Sequence, residues 1–297
     1  MIRDGRIAPV ALGILFMVIS AGLISANDAV IKSLIGEGVH PIEIVFFRNL
    51  FGALALAPLY VRLGIGALRT QRFGFHLFKN CLQTVSIVAY FWSLAFIPLA
   101  DAAALGFMNP IYASIGAILF MREPSRIMRW MSIAIGFVGM LIIIRPGFAQ
   151  ANVGVLLVVG ATIIGAVARL MTKSLIRTDS AAIIVVYMSV TVTIATFIPA
   201  LFVWSSPSPT QWLWFAAIGV MGSAGHVLMT EALKLGDVTA VEPVTYTRLV
   251  WAAFFGFAVF GDIPGIWTWV GGVVIVIGAI LLLRAETRER RPISSTT

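Results

Sequence analysis

Ten predominantly apolar runs, most of them long enough to cross about 30 Å of hydrocarbon, divide the sequence at 8–34, 41–63, 75–98, 101–121, 127–144, 152–176, 180–204, 210–234, 238–260 and 264–284. A backbone in hydrocarbon finds no water for its N–H and C=O groups, so each run is predicted to be an α-helix that closes its own hydrogen bonds. Composition agrees: of 297 residues, 60% are hydrophobic and 11% charged, and the mean hydropathy of +0.99 is far from the usage of soluble domains. The expected fold class is an all-α polytopic membrane protein with ten transmembrane helices. Met1 to Ser20 has the charged start and apolar stretch of a secretory signal. The chain after it is itself membrane-spanning, so an uncleaved first span is expected, with no soluble domain.

The basic residues orient the chain. With the N-terminus inside, sixteen of the 21 Lys and Arg fall on the cytoplasmic side, from Arg3 and Arg6 through Arg69, Arg126 and Lys173 to Arg291, against Arg145 alone outside. Positive charge concentrates in cytoplasmic loops, so a multi-pass inner-membrane protein with cytoplasmic N- and C-termini is expected. The formal charge of +8 thus belongs to loops flanking the membrane and not to a nucleic-acid surface. Cys81 has no second cysteine to pair with, and its apolar run marks it as a small packing residue. Four basic residues, Lys32, Arg48, Arg169 and Arg248, remain inside predicted helices. A charge near the bilayer centre costs roughly 2.5–3.5 kcal/mol on insertion scales, so each needs a compensating partner.

The second half of the chain repeats the first. Lys32-Ser-Leu-Ile recurs as Lys173-Ser-Leu-Ile, and the same offset carries Pro58 onto Pro199 and Asp28 onto Arg169. Leu99 to Ala104 (L-A-D-A-A-A) resembles Leu235 to Ala240 (L-G-D-V-T-A), and Trp130 through Gly139 resembles Trp269 through Gly278, with Glu123 falling on Asp262. Five helices per half is an odd number, so the halves insert in opposite orientations. The expected organisation is a first repeat at 1–148 and a second at 149–297, the latter ending in a short basic cytoplasmic tail. Inverted repeats are the architecture of alternating-access transporters, with the site between the repeats near the midplane.

The second-helix pattern F-F-R-N-L-F-G-A-L-A-L-A-P-L (Phe46 to Leu59) and the fourth-helix pattern A-A-L-G-F-M-N-P-I-Y-A (Ala103 to Ala113) carry a resemblance, together with Glu123 and its counterpart Gly261-Asp262. In their order and spacing they resemble the drug/metabolite transporter superfamily, in its EamA-type branch, over nearly the whole chain. The resemblance implies transport of small organic solutes such as amino acids, cofactors and their relatives, with helices one, three, four, six, eight and nine around a central cavity. The segment V-E-P-V-T-Y-T-R-L-V-W-A (Val241 to Ala252) looks more like members associated with S-adenosylmethionine or riboflavin uptake than like aromatic amino-acid exporters.

The candidate site follows from the polar residues inside the runs. Arg248, about ten residues into its predicted helix, is read as a cation that receives a substrate anion or else pairs with an acid on another helix; Thr245 and Trp251 share its face. Glu242 lies about 240° around a straight helix from it and is a poor partner unless Pro243 bends the turn. Asn109, at the place symmetry-related to Arg248, precedes Pro110, whose ring leaves a carbonyl free in the preceding turn; Tyr112 follows one turn on. Asp28 stands one turn before Lys32, so an intrahelical ion pair competes with a role as proton carrier or ammonium ligand, with Asn27 beside it. Arg48 is read as structural, snorkelling or bonding to Asp28. His226 aligns with Tyr90, and with Trp92 nearby an aromatic wall would suit a planar ring. Asp101 and Asp237 read as helix caps. Gating or coupling candidates are Asp28, Asn27, Glu242 and Arg169; a proton-coupled cycle would run through Asp28, His226 or Glu242.

No enzyme motif is present: the three histidines are scattered, and neither H-E-x-x-H, G-x-S-x-G nor a glycine-rich phosphate loop occurs. The sequence therefore predicts a secondary transporter of a small organic metabolite bearing an anionic group, working by alternating access, with no cofactor or metal and with the lipid bilayer as its surroundings. The alternative within the same fold is an exporter of aromatic or other amino acids, and the rival class is an integral membrane enzyme.

Overall fold

The computed structural model describes residues 9–290 apart from 64–68, 110, 113–114, 117–126, 145–151, 176–177, 180 and 236–241. Among these residues the chain is helical throughout: α1 (Pro9–Gly36), α2 (Pro41–Leu63), α3 (Phe73–Ser93), α4 (Leu99–Gly106), α5 (Ile127–Ile144), α6 (Val153–Leu175), α7 (Ala181–Phe202), α8 (Pro209–Leu235), a 3-10 turn (Glu242–Tyr246), α9 (Thr247–Phe260) and α10 (Ile266–Arg290). Five segments within them are long and apolar enough to cross a membrane: Ala11–Gly36, Pro41–Pro58, Val153–Thr172, Ile183–Phe202 and Pro209–Met229. The helix α4 is shorter than its predicted run, although residues 109, 111, 112, 115 and 116 beyond it are also helical.

Helix ends are set where the sequence supplies backbone freedom. Gly38, at φ 90°, lets the chain reverse after α1 so that Val39 N–H reaches the Leu34 carbonyl, and Pro41 then opens α2. Gly261, at φ 68°, ends α9, with Asp262 N–H bonded to the Gly256 carbonyl in a Schellman-type stop. Asp101 is not a cap. Pro98 precedes α4, no side chain caps it, and the Asp101 carboxylate instead accepts a 2.6 Å bond from Thr268 on α10. Asp237 lies outside the described residues.

The largest helix contacts run between the two halves of the chain. They are α5 with α10, α1 with α8, α3 with α6, α2 with α7 and α8, α1 with α9, α3 with α7, and α4 with α9 and α6. Exchanging each helix for the one five places along maps this list onto itself: α1–α8 becomes α6–α3, and α2–α8 becomes α7–α3. Polar contacts mark both members of a pair. Ser20 on α1 donates to the Gly225 carbonyl of α8, and Ser86 on α3 donates to the carbonyl of Ala161 on α6, the residue 141 positions after Ser20.

Close crossings rest on small residues. A Cβ on Gly139 would lie 2.8 Å from the Gly271 carbonyl oxygen, so α5 and α10 meet backbone to backbone. Polarity is inverted relative to a soluble domain. Leu213, Ile194 and Phe202 are exposed at 72%, 69% and 85%, whereas Asp28, Lys79 and His76 are buried. Such a surface suits lipid, which solvates apolar side chains and leaves polar groups to face inward. Cys81 belongs to the exposed face of α3 and is not a core packing residue.

Candidate functional site

In the apolar interior α1, α3 and α9 bring together one carboxylate, one guanidinium and one phenol. Arg248 Nη2 donates to Asp28 Oδ2 at 2.5 Å and to the Tyr90 hydroxyl at 2.9 Å, and that hydroxyl donates to Asp28 Oδ2 at 3.1 Å. The three groups close a ring of bonds. The guanidinium also lies 5.7 Å from the Tyr90 ring centre, while its Nε is buried with no hydrogen-bond partner among the described residues. Of the two roles the sequence left open for Arg248, an ion pair with an acid on another helix is the one the structure contains.

The positions of these groups depend on a local feature that periodicity did not reveal. The predicted helix at 238–260 does not run straight through: a 3-10 turn occupies Glu242–Tyr246, and α9 proper begins at Thr247. Pro243 lacks the N–H a continuous α-helix would use, which favours a tighter first turn. Arg248 is therefore the second residue of α9, not one deep inside it. Its backbone carbonyl accepts a 3.3 Å bond from Ser25 Oγ, which adds a second link between α1 and α9.

A second cation sits beside the first. Arg48 Nε donates to Asn27 Oδ1 at 3.3 Å, and the Asn27 amide donates in turn to the Ile218 carbonyl on α8 at 2.6 Å. The Arg48 guanidinium lies 5.5 Å from the Phe91 ring centre and borders a small cavity of about 10 Å³ with Asn49, Ser189, Gly222, Ser223 and His226. The charges of Arg48, Arg248 and Lys79 all reach His226. Asp28 is the one carboxylate hydrogen-bonded into this group among the described residues, so cations outnumber the acid facing them.

A family model described as the EamA-like transporter family matches residues 11–145 and again 152–284. The chain belongs to this family. A riboflavin transporter of Vibrio cholerae serotype O1 is 31% identical to it over 284 residues, covering 94% of this chain and 95% of that protein. An S-adenosylmethionine uptake transporter of Rickettsia bellii is 27% identical over 281 residues, covering 94% and 95%. A pseudopaline exporter of Pseudomonas aeruginosa is 29% identical over 281 residues, covering 92% and 96%. A solved crystal structure shares the fold, with a TM-score of 0.65 at 15% identity over 95% of this chain and 99% of that one. As an EamA-like transporter the chain is a multi-pass membrane protein that moves solutes and is not an enzyme.

Within this EamA-like framework the other expected residues separate into those near the ring of bonds and those away from it. Trp251 is half-buried on α9 against Gly22 of α1, and the Thr245 hydroxyl contacts Met17 Sδ at 3.4 Å. Asn109 faces α6, where its amide donates to the Thr162 carbonyl at 3.4 Å and its Oδ1 is buried without a hydrogen-bond partner among the described residues. Arg169 is half-buried on α6. Trp92 turns outward, packing edge-on against His40 at 5.3 Å, because it follows Tyr90 by two residues and lies about 200° around α3 from it. Tyr112 reaches Met140 on α5. Only the backbone of Glu242 is described, in the 3-10 turn. The expected Asp28–Lys32 pair does not form: Lys32 Nζ binds Asp262 at 2.6 Å, leaving Asp28 to Arg248. Arg48 is a charge inside a predicted helix that the sequence marks as structural, whereas Lys79 is the interior cation that sequence reading passes over: it too lies within an apolar run, but counts there among the cytoplasmic loop residues although it is buried.

Proposed function

We propose that this EamA-like protein is an inner-membrane secondary transporter of ten spans, built as two inverted five-helix repeats, which moves a small organic metabolite bearing an anionic group by alternating access. The two separate family matches and the packing list that maps onto itself under exchange of the halves support the repeat. Basic residues on alternate connections support cytoplasmic termini. The substrate-binding region is the interior between α1, α3, α8 and α9, with Arg248, Tyr90, His226, Trp251 and Thr245 around it, Asn109 in the helical stretch beyond α4, and Asp28, Asn27, Arg169 and Glu242 as the groups that gate or couple.

The observation that carries this reading is the Arg248–Asp28–Tyr90 ring. Intramembrane charges are costly and mark solute pathways, and this ring joins helices of both halves where inverted-repeat transporters place their site. An excess of interior cations favours a solute with an anionic end, and the relatives named for riboflavin, S-adenosylmethionine and pseudopaline make ring-bearing metabolites and amino-acid derivatives the first to try. Purified full-length protein in liposomes, given labelled riboflavin, S-adenosylmethionine and aromatic amino acids in turn, is expected to accumulate at least one of them chemically unchanged. Recovery of a chemically altered product, with no protein-dependent uptake of any intact solute, would refute the reading.

A further inference from the structure

We propose that Arg48, not Arg248, seats the anionic group of the transported solute, and that this group is a carboxylate; the inference rests on the transporter reading above. Arg248 already has a carboxylate of its own in Asp28. Arg48 has none within ion-pair distance among the described residues, and its one hydrogen bond there goes from Nε to a neutral amide oxygen, that of Asn27. The charge of Asp28 reaches both guanidiniums, so a single carboxylate faces two arginines and the group lacks one negative charge. A buried, incompletely compensated cation is costly, and an incoming anion removes that cost.

Geometry gives the anion a place. The two terminal nitrogens of Arg48 make no hydrogen bond among the described residues, which leaves the planar fork that binds a carboxylate bidentately. The cavity it borders is lined by Asn49, Ser189, Ser223 and His226, groups suited to hold carboxylate oxygens. The free space there is about 10 Å³, room for about one water molecule, so a carboxylate oxygen takes that water's place at the fork while the remainder of the solute lies outside the cavity. Room for the fork comes from Gly222, where a Cβ would stand 2.9–3.2 Å from Arg48 Nη2, Nε and Cζ. The cavity is formed by α2 of the first half with α7 and α8 of the second, so an anion bound there contacts both halves.

The test uses full-length protein in lipid nanodiscs, with acetate as the probe and acetamide as its neutral isostere at constant ionic strength. Wild type is expected to gain thermal stability saturably with acetate and not with acetamide. Arg48→Gln is expected to keep or raise the melting temperature without ligand, because a buried surplus charge is gone, and to weaken acetate binding about thirtyfold or more. Gly222→Ala keeps every charge but displaces the fork, and is expected to weaken acetate binding about tenfold. Arg248→Gln should destabilise the free protein, because Asp28 loses its partner. An unchanged acetate response in Arg48→Gln, or none in wild type, overturns the assignment. Equal destabilisation of the Arg48→Gln and Arg248→Gln proteins without ligand also overturns it, by making Arg48 a strut. Intact-solute uptake without an acetate response sinks the seat alone; an acetate response that depends on Arg48, without uptake of any solute, sinks the transporter reading and leaves Arg48 an anion site.

Discussion

A guanidinium inside an apolar helix is stable only where opposite charge meets it, and Arg248 meets Asp28 across 220 positions of sequence. Removing one partner strands the other, so Arg248→Ala is expected to cost about 3–5 kcal/mol of stability. Asp28→Asn should cost less, because the amide oxygen still accepts from Arg248. The double variant Asp28→Asn/Arg248→Gln should recover much of the loss, which a double-mutant cycle of denaturation midpoints reads directly; additive losses would mean the pair is not coupled. Both residues were visible in the sequence as charges out of place, but their pairing was not. Spacing favoured Asp28 with Lys32 one turn away. Which acid Lys32 takes depends on how α1 lies against the connection after α9, where Asp262 waits, and no single-helix pattern carries that register. Trp92 illustrates the same limit: its place two residues after Tyr90 put it near the site in sequence and on the opposite face of α3 in space.

Helices were the most legible elements, because hydrocarbon leaves an apolar run of twenty residues almost no other choice. Their starts were less so, as the 3-10 turn at Glu242–Tyr246 shows. The connections carry specific contacts that apolar periodicity says nothing about. At the end of the bundle where α3 begins, Asp179 in the α6–α7 connection accepts from His76 Nε2 at 3.2 Å and from Thr178 at 3.0 Å, while Arg72 bonds Ser174. Burial works against ionising Asp179, but the bonds from His76, Thr70 and Thr178 and the charge of His76 outweigh it and hold the carboxyl below its usual range. A depressed carboxylate stabilises the fold at pH values above its unfolded value of about 3.9, and the contribution fades as pH falls through the lower folded value. Asp179→Asn is therefore expected to lower the melting temperature at neutral pH, with the gap to wild type narrowing below about pH 4. A gap independent of pH would mean that the carboxylate charge contributes nothing to this contact.

The two halves pack mainly on each other, so neither has a core of its own, and the motions open to the molecule are those of one half against the other. The proposed repeat rests on Lys32 and Lys173 and on Pro58 and Pro199, because motifs at a common offset survive as letters. The exchange of partners between halves could not, since apolar faces of similar composition do not name their neighbours. The proposed opposite insertion of the halves sets an expectation for the sides of the membrane. In a Cys81→Ser background, cysteine at position 206 should label from outside intact cells and cysteine at position 69 should not, because basic connections remain cytoplasmic. Outside labelling at 69 would reverse the topology. Counterflow in proteoliposomes tests alternating access through the Arg248–Asp28–Tyr90 junction most directly. Unlabelled solute inside is expected to accelerate entry of the labelled solute in wild type, and Arg248→Gln protein that remains folded is expected to lose both entry and acceleration. Labelled entry that is indifferent to internal solute, or unchanged by Arg248→Gln, would contradict the account.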